Sequence, residues 1–113
     1  MEELMLIDYK EKGNHLVLYL KGRMDVKNSS DIESDMNALI NQSSLNILLN
    51  LEHVEYMSSS GLRLFVSLMR KLNELKRGFK LCNLSPAVVK IFEVVELMDM
   101  FNIYTTEEEA LKS

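Results

Sequence analysis

Met57-Ser58-Ser59-Ser60-Gly61-Leu62 sets three hydroxyls side by side where an apolar run gives way to a long helical pattern. A serine at a helix start can accept a hydrogen bond from one of the backbone N–H groups that have no partner inside the helix. The helix dipole adds partial positive charge there, so a phosphate ester on such a hydroxyl meets free donors and a favourable field. The chemistry open to the run is therefore capping alone, or capping combined with phosphorylation. Nucleophilic catalysis lacks its other parts. Met57 stands two positions before Ser59, so there is no Gly-x-Ser-x-Gly elbow. Neither His15 nor His53 has a motif partner, and nothing marks the acid or oxyanion hole of a serine triad. A Gly-x-x-x-x-Gly-Lys phosphate loop is absent. No catalytic residue, cofactor site or metal site is expected. Cys82 is the single cysteine and should pack as a small apolar residue, while Glu107-Glu108-Glu109 suits the solvated first turn of a helix.

The elements that must hold the serines can be read from periodicity. Leu4 to Lys10 reads as an edge strand, and Gly13-Asn14 as a turn into the apolar run Leu16 to Leu20, a strand buried on both faces. Two strands so closely joined should form a hairpin. Gly22-Arg23-Met24-Asp25 ends the second strand, and a helix follows with Ile32, Met36, Leu39 and Ile40 as its apolar stripe. Ser30 with Glu33 fits a capping box for it. Leu45 to Leu51 is dense in apolar residues and should be a central strand. The longest helix is expected over about Gly61 to Arg77, broken by Gly78. At ~100° per residue, its apolar positions cover an arc of about 200°, wider than one sheet face needs. It should therefore be wedged between the sheet and another helix. Phe79 to Cys82 is a short strand, Ser85-Pro86 caps and opens a helix with Val88, Ile91, Phe92 and Val95 inward, and Met100 to Tyr104 is a fifth strand. Thr105 or Thr106 then caps a short acidic helix ending near Leu111.

These elements predict one α/β domain over residues 1–113, an opening hairpin followed by alternating units in a mostly parallel sheet of four or five strands. In such sheets functional loops gather at the carboxyl ends of strands, so Asp25 and the serine run should share one rim. A formal net charge of −4 argues against nucleic acid or anionic lipid as partner. Met1-Glu2-Glu3-Leu4-Met5 has no signal-peptide character, and no apolar stretch reaches the roughly 18 residues of a membrane helix. A cytoplasmic protein without membrane insertion is expected.

Four blocks in register along the chain resemble the STAS domain of anti-sigma-factor antagonists. They are Gly22-Arg23-Met24-Asp25, Leu49-Asn50-Leu51-Glu52, Tyr56 to Leu62, and Ser85-Pro86-Ala87-Val88 leading to Ile91-Phe92. The resemblance implies the STAS fold and a partner-switching role without enzymatic activity. In that family the unphosphorylated protein binds an anti-sigma factor that is also a serine kinase of GHKL type, which frees a sigma factor and so regulates transcription. Phosphorylation dissolves the complex, and a PP2C-like phosphatase resets it. The family's modified residue lies two positions before the glycine, which is Ser59 here, with Ser58 and Ser60 as alternatives. Where the family usually has Asp, this chain has Ser58. Asp25, Ser58, Ser60, Gly61 and Arg63 make up the expected partner surface. The competing role is a constitutive STAS scaffold, for example in a lipid-transport complex, in which the serines only cap.

Overall fold

A computed structural model describes residues 6–113; Leu4 and Met5 of the first expected strand, and the Met1 to Met5 segment as a whole, lie outside them. The elements run β1 (Leu6–Lys12), β2 (His15–Met24), α1 (Ser29–Asn41), β3 (Asn46–Met57), α2 (Ser59–Glu74), β4 (Phe79–Cys82), α3 (Pro86–Val94), a 3-10 turn (Met98–Met100), β5 (Asn102–Tyr104) and α4 (Glu107–Lys112). β1 pairs antiparallel with β2, and every later pairing is parallel, in the spatial order β1-β2-β3-β4-β5. Because the order is sequential, each crossover steps the same way across the sheet. Right-handed crossovers then put α1, α2 and α3 on one face.

That face carries the main core. Leu16, Leu18, Leu20, Ile47, Leu49, Leu51 and Leu81 pack under Ile32, Met36 and Ile40 of α1, Phe65, Leu68 and Leu72 of α2, and Val88 and Phe92 of α3. The alternate residues Val17, Leu48 and Cys82 face the other way, onto Ala110 of α4. The strands are thus apolar on both sides, as their continuous runs require. α2 is held on two flanks besides the sheet. Lys71 Nζ donates to Asn37 Oδ1 (2.8 Å) and Asn41 Oδ1 (3.0 Å) of α1, and Phe65 meets Phe92 of α3 edge-on at 6.5 Å.

Several expected boundaries shift. β3 continues six residues past Leu51, because Val54 and Met57 still reach the core while their neighbours face solvent at the rim. Between Tyr19/Lys21 and Gly22/Arg23 the register slips, so β3 carries two extra residues against β2. Bulges of this kind bend and twist a strand, and Gly22 (φ 114°) supplies the backbone conformation the slip needs. The Ser30–Glu33 capping box is absent. α1 begins at Ser29 after Asn28, whose side chain is already engaged with the preceding loop. α2 does not end at Gly78. Its last turn closes at Lys76 (φ 57°), with Lys76 N–H on Asn73 O and Arg77 N–H on Leu72 O, a left-handed cap made without glycine.

Candidate phosphoacceptor loop and docking groove

Parallel pairing of Met24 with Met57 brings the ends of β2 and β3 together, so the segment from Asp25 and the serine run leave the sheet side by side. Ser58 N–H donates to Met24 O at 2.9 Å and ties the two exits. Ser58 then caps α2: its Oγ accepts from Gly61 N–H (3.4 Å), and its carbonyl accepts from Leu62 N–H (3.3 Å). The side chain is buried. Ser59, the first residue of the helix, is exposed, and Ser60 is half-buried. The hydroxyls thus differ by geometry: Ser58 builds the loop, Ser59 faces solvent, and Ser60 lies between the two.

Gly61 is there because the loop packs tightly. A Cβ at this position would lie 2.3 Å from Met24 Sδ and 3.0 Å from Met57 Cγ, both on buried side chains. Ser58 and Gly61 are therefore buried, whereas Ser59 and Arg63 are exposed and Asp25 and Ser60 half-buried. Asp25 Oδ1 accepts from the backbone N–H groups of Lys27 and Asn28, each at 3.0 Å. Asn28 answers through Oδ1, which accepts from Asp25 N–H at 2.9 Å, and through Nδ2, which donates to Arg23 O at 2.8 Å. These bonds fix the loop that lies beside the serines. Arg63 is exposed and shares a cleft of about 310 Å³ with Ser60, Ser29, Ser30 and Glu33, between the starts of α1 and α2.

Sequence reasoning missed the other side of the loop. A groove of about 630 Å³ runs from Ser59 to α3, walled by Val26, Tyr56, Ile91, Val94 and Lys90. Val26 and Val94 are 72% and 71% exposed, an unusual position for two β-branched aliphatics in one small patch. Arg23 lies over the Tyr56 ring, 4.5 Å from its centroid, where Tyr56 lines the groove. Ser85 anchors the far wall: its Oγ donates to Val54 O (2.7 Å) and accepts from Val88 N–H (3.4 Å), pinning the start of α3 to β3. Val94 beside Val95, two apolar residues in a row where the α3 stripe needs one, was the available sequence signal.

The other chemically capable groups lie elsewhere. His15 is buried at the opposite end of β2, 3.2 Å from Lys80 Nζ, and burial, reinforced by that ammonium, holds its pKa below the usual histidine value. His53 is exposed, and among the described residues neither histidine is hydrogen-bonded to a serine of the run. Burial pushes the Cys82 thiol up to about 12, which leaves it a packing residue. Among the described residues no group of three or more His, Cys, Asp or Glu is placed to hold a metal, and no helix is long and apolar enough to cross a membrane.

The STAS domain model matches residues 7–110. The chain belongs to the STAS domain family. An anti-sigma-B factor antagonist of Staphylococcus aureus is 29% identical over 82 residues, spanning 73% of this chain and 76% of that protein. Among solved structures, the anti-sigma factor antagonist SpoIIAA in its unphosphorylated form superposes with a TM-score of 0.75 at 29% identity, covering 94% of this chain and 93% of that one. The phosphorylated form of SpoIIAA, described as a Bacillus cell fate determinant, gives 0.68 at 28% identity, with 95% and 97% covered. An anti-sigma factor antagonist from Mycobacterium paratuberculosis shares the fold with a TM-score of 0.85 at 22% identity, covering 96% and 92%. The five-stranded, sequentially ordered sheet described above is thus the STAS sheet.

Proposed function

We propose that this STAS domain is an anti-sigma factor antagonist that binds its partner through the rim around Ser59 and is released when Ser59 is phosphorylated. The observation that carries this is the division of the serines: Ser58 is buried in its capping role, while Ser59 stands exposed on the first turn of α2. Support also comes from the relatives, which are named as anti-sigma factor antagonists, and from SpoIIAA, which is known in both phosphorylated and unphosphorylated forms.

The partner is an anti-sigma factor with serine kinase activity of GHKL type. In the modification, Ser59 Oγ bonds to the γ-phosphorus of ATP, ADP leaves, and the hydroxyl proton passes to a base of the kinase. A PP2C-like phosphatase hydrolyses the ester and resets the protein. The chain itself acts by binding and performs no catalysis. The ester adds about −1.5 to −2 charges at a helix start, where the dipole tolerates them, so the scaffold keeps its fold. A protein packed over the loop must instead bury or desolvate that charge, at a cost of several kcal/mol. A loss of about 3 kcal/mol weakens binding more than a hundredfold.

The test is partner affinity by calorimetry, paired with site-resolved phosphopeptide mass spectrometry on protein from its host. Ser59→Glu should weaken binding at least about tenfold and shift the melting temperature by no more than ~2 °C. Phosphate should be found on Ser59. Wild-type affinity in both Ser59→Ala and Ser59→Glu, with no modified serine under any growth condition, would favour the constitutive scaffold.

A further inference from the structure

Lys90 and Ser59 line one groove from different elements, Lys90 on α3 and Ser59 at the start of α2. Lys90 is exposed and, among the described residues, makes no hydrogen bond or ion pair. Arg23, Lys27 and Arg63, the last of them four residues past Ser59 on α2, are the other cations near the loop, and none of them lines this groove. Arg23 lies over the Tyr56 ring, and Arg63 lines the separate cleft that holds Glu33. Among the described residues, Lys90 is the only cation that lines the groove running to Ser59.

Resting on phosphorylation at Ser59 as proposed above, we infer that Lys90 is the intramolecular counter-ion of the phosphoserine. The ammonium reaches across the groove mouth to the ester oxygens, and the lysine stem lies over the apolar walls made by Val26, Tyr56, Ile91 and Val94. A lysine can cover apolar surface with its methylenes while its head stays solvated at the rim, and a phosphate supplies the anchor for that head. Modification then acts twice on a docked protein. It adds charge at the rim, and it draws a side chain over the apolar patch that the protein would otherwise cover. Release therefore does not depend on repulsion alone.

The test uses full-length protein carrying phosphoserine at position 59, installed by ligation or by phosphoserine-decoding translation, with no kinase involved. Phosphorus-31 NMR follows the second ionisation of the ester. It should occur at a pH about 0.5 unit lower in the wild type than in Lys90→Gln, because a nearby cation favours the doubly charged ester. Lys90→Arg should retain the difference, and Arg63→Gln should titrate as the wild type. A Lys90→Gln protein that titrates with the wild type, or an Arg63→Gln protein that shows the shift instead, overturns the pairing. Both side chains are exposed, so the fold is not at stake in either variant. A chain never phosphorylated in its host would defeat the switch proposed above without altering this titration. Equal titrations would defeat the pairing and leave the switch intact.

Discussion

Ser58, Ser59 and Gly61 fall within four consecutive positions and have three separate physical jobs: capping, exposure and close packing. Gly61→Ala tests the last. The added methyl must displace Met24 and Met57, which are 0% and 3% exposed and have nowhere to go. Overpacking of this size costs about 1–3 kcal/mol, partly offset by the better helix propensity of alanine. Urea denaturation should show a net loss of about 1–2 kcal/mol, with the midpoint moving and the slope unchanged. The serine run itself was legible in the sequence, because a hydroxyl followed by a helical stripe is a local pattern. Which hydroxyl is buried was not. That depends on the bond from Ser58 N–H to Met24 O, a contact between residues far apart in the chain.

Elements were legible to the extent that their signals are local. Ser85-Pro86 opens α3 and Thr106 caps α4, as their residue types imply. The capping box at Ser30 failed because the Asp25–Asn28 exchange of hydrogen bonds sets the N-cap of α1 two residues earlier, at Asn28. The stop at Gly78 failed for a related reason. Arg77 reaches back, its Nε donating to Leu45 O (2.7 Å) and its Nη1 to Ile40 O (2.9 Å), so the chain must turn before it. Lys76 takes the left-handed conformation that this turn demands. A non-glycine residue there is strained by about 1–2 kcal/mol, while glycine loses more entropy on folding. Lys76→Gly should therefore stabilise the protein by roughly 0.5 kcal/mol, measured as a rise in the denaturation midpoint. The apolar groove was invisible for a different reason: it is built from β3, α3 and the loop after β2, and no periodicity in one element reports a surface shared by three.

At the scale of the molecule, two ends of the sheet are built differently. The rim with Ser59 carries exposed apolar residues, while the far side is stitched by charge. Lys80 Nζ donates to Ala110 O (2.8 Å) and Ser113 O (2.9 Å) and approaches His15, and Glu107 accepts from Lys12 and from Asn50 Nδ2 (3.1 Å). Burial alone would raise the Glu107 carboxyl, yet its hydrogen bonds with Lys12, Asn50 and Tyr19 outweigh it and hold the group below the usual range. His15 is also held low, by burial and by Lys80. The unfolded chain therefore takes up a proton on this histidine at a higher pH than the folded one does. Its contribution to stability is whole above the unfolded value near 6.5, falls as pH drops through it, and levels off below the folded value. Denaturation series from pH 7.5 to 5 should show that decline, and His15→Gln should flatten its slope whatever it does to the absolute stability. The Glu107 contribution is whole above the unfolded carboxyl value and is lost as pH falls from there through the lower folded one.

The turn at Gly13-Asn14 opens at the amino end of β2, while the serine run leaves the carboxyl end of the parallel strand beside it. Ten residues of β2 at ~3.3 Å each put roughly 30 Å between them. Gly13 has φ +61° and nothing within 4 Å of where a Cβ would be. A fluorophore, affinity handle or surface tether grafted onto that hairpin would sit clear of a protein docked at the Ser59 rim as proposed, so association and release there could be watched in real time.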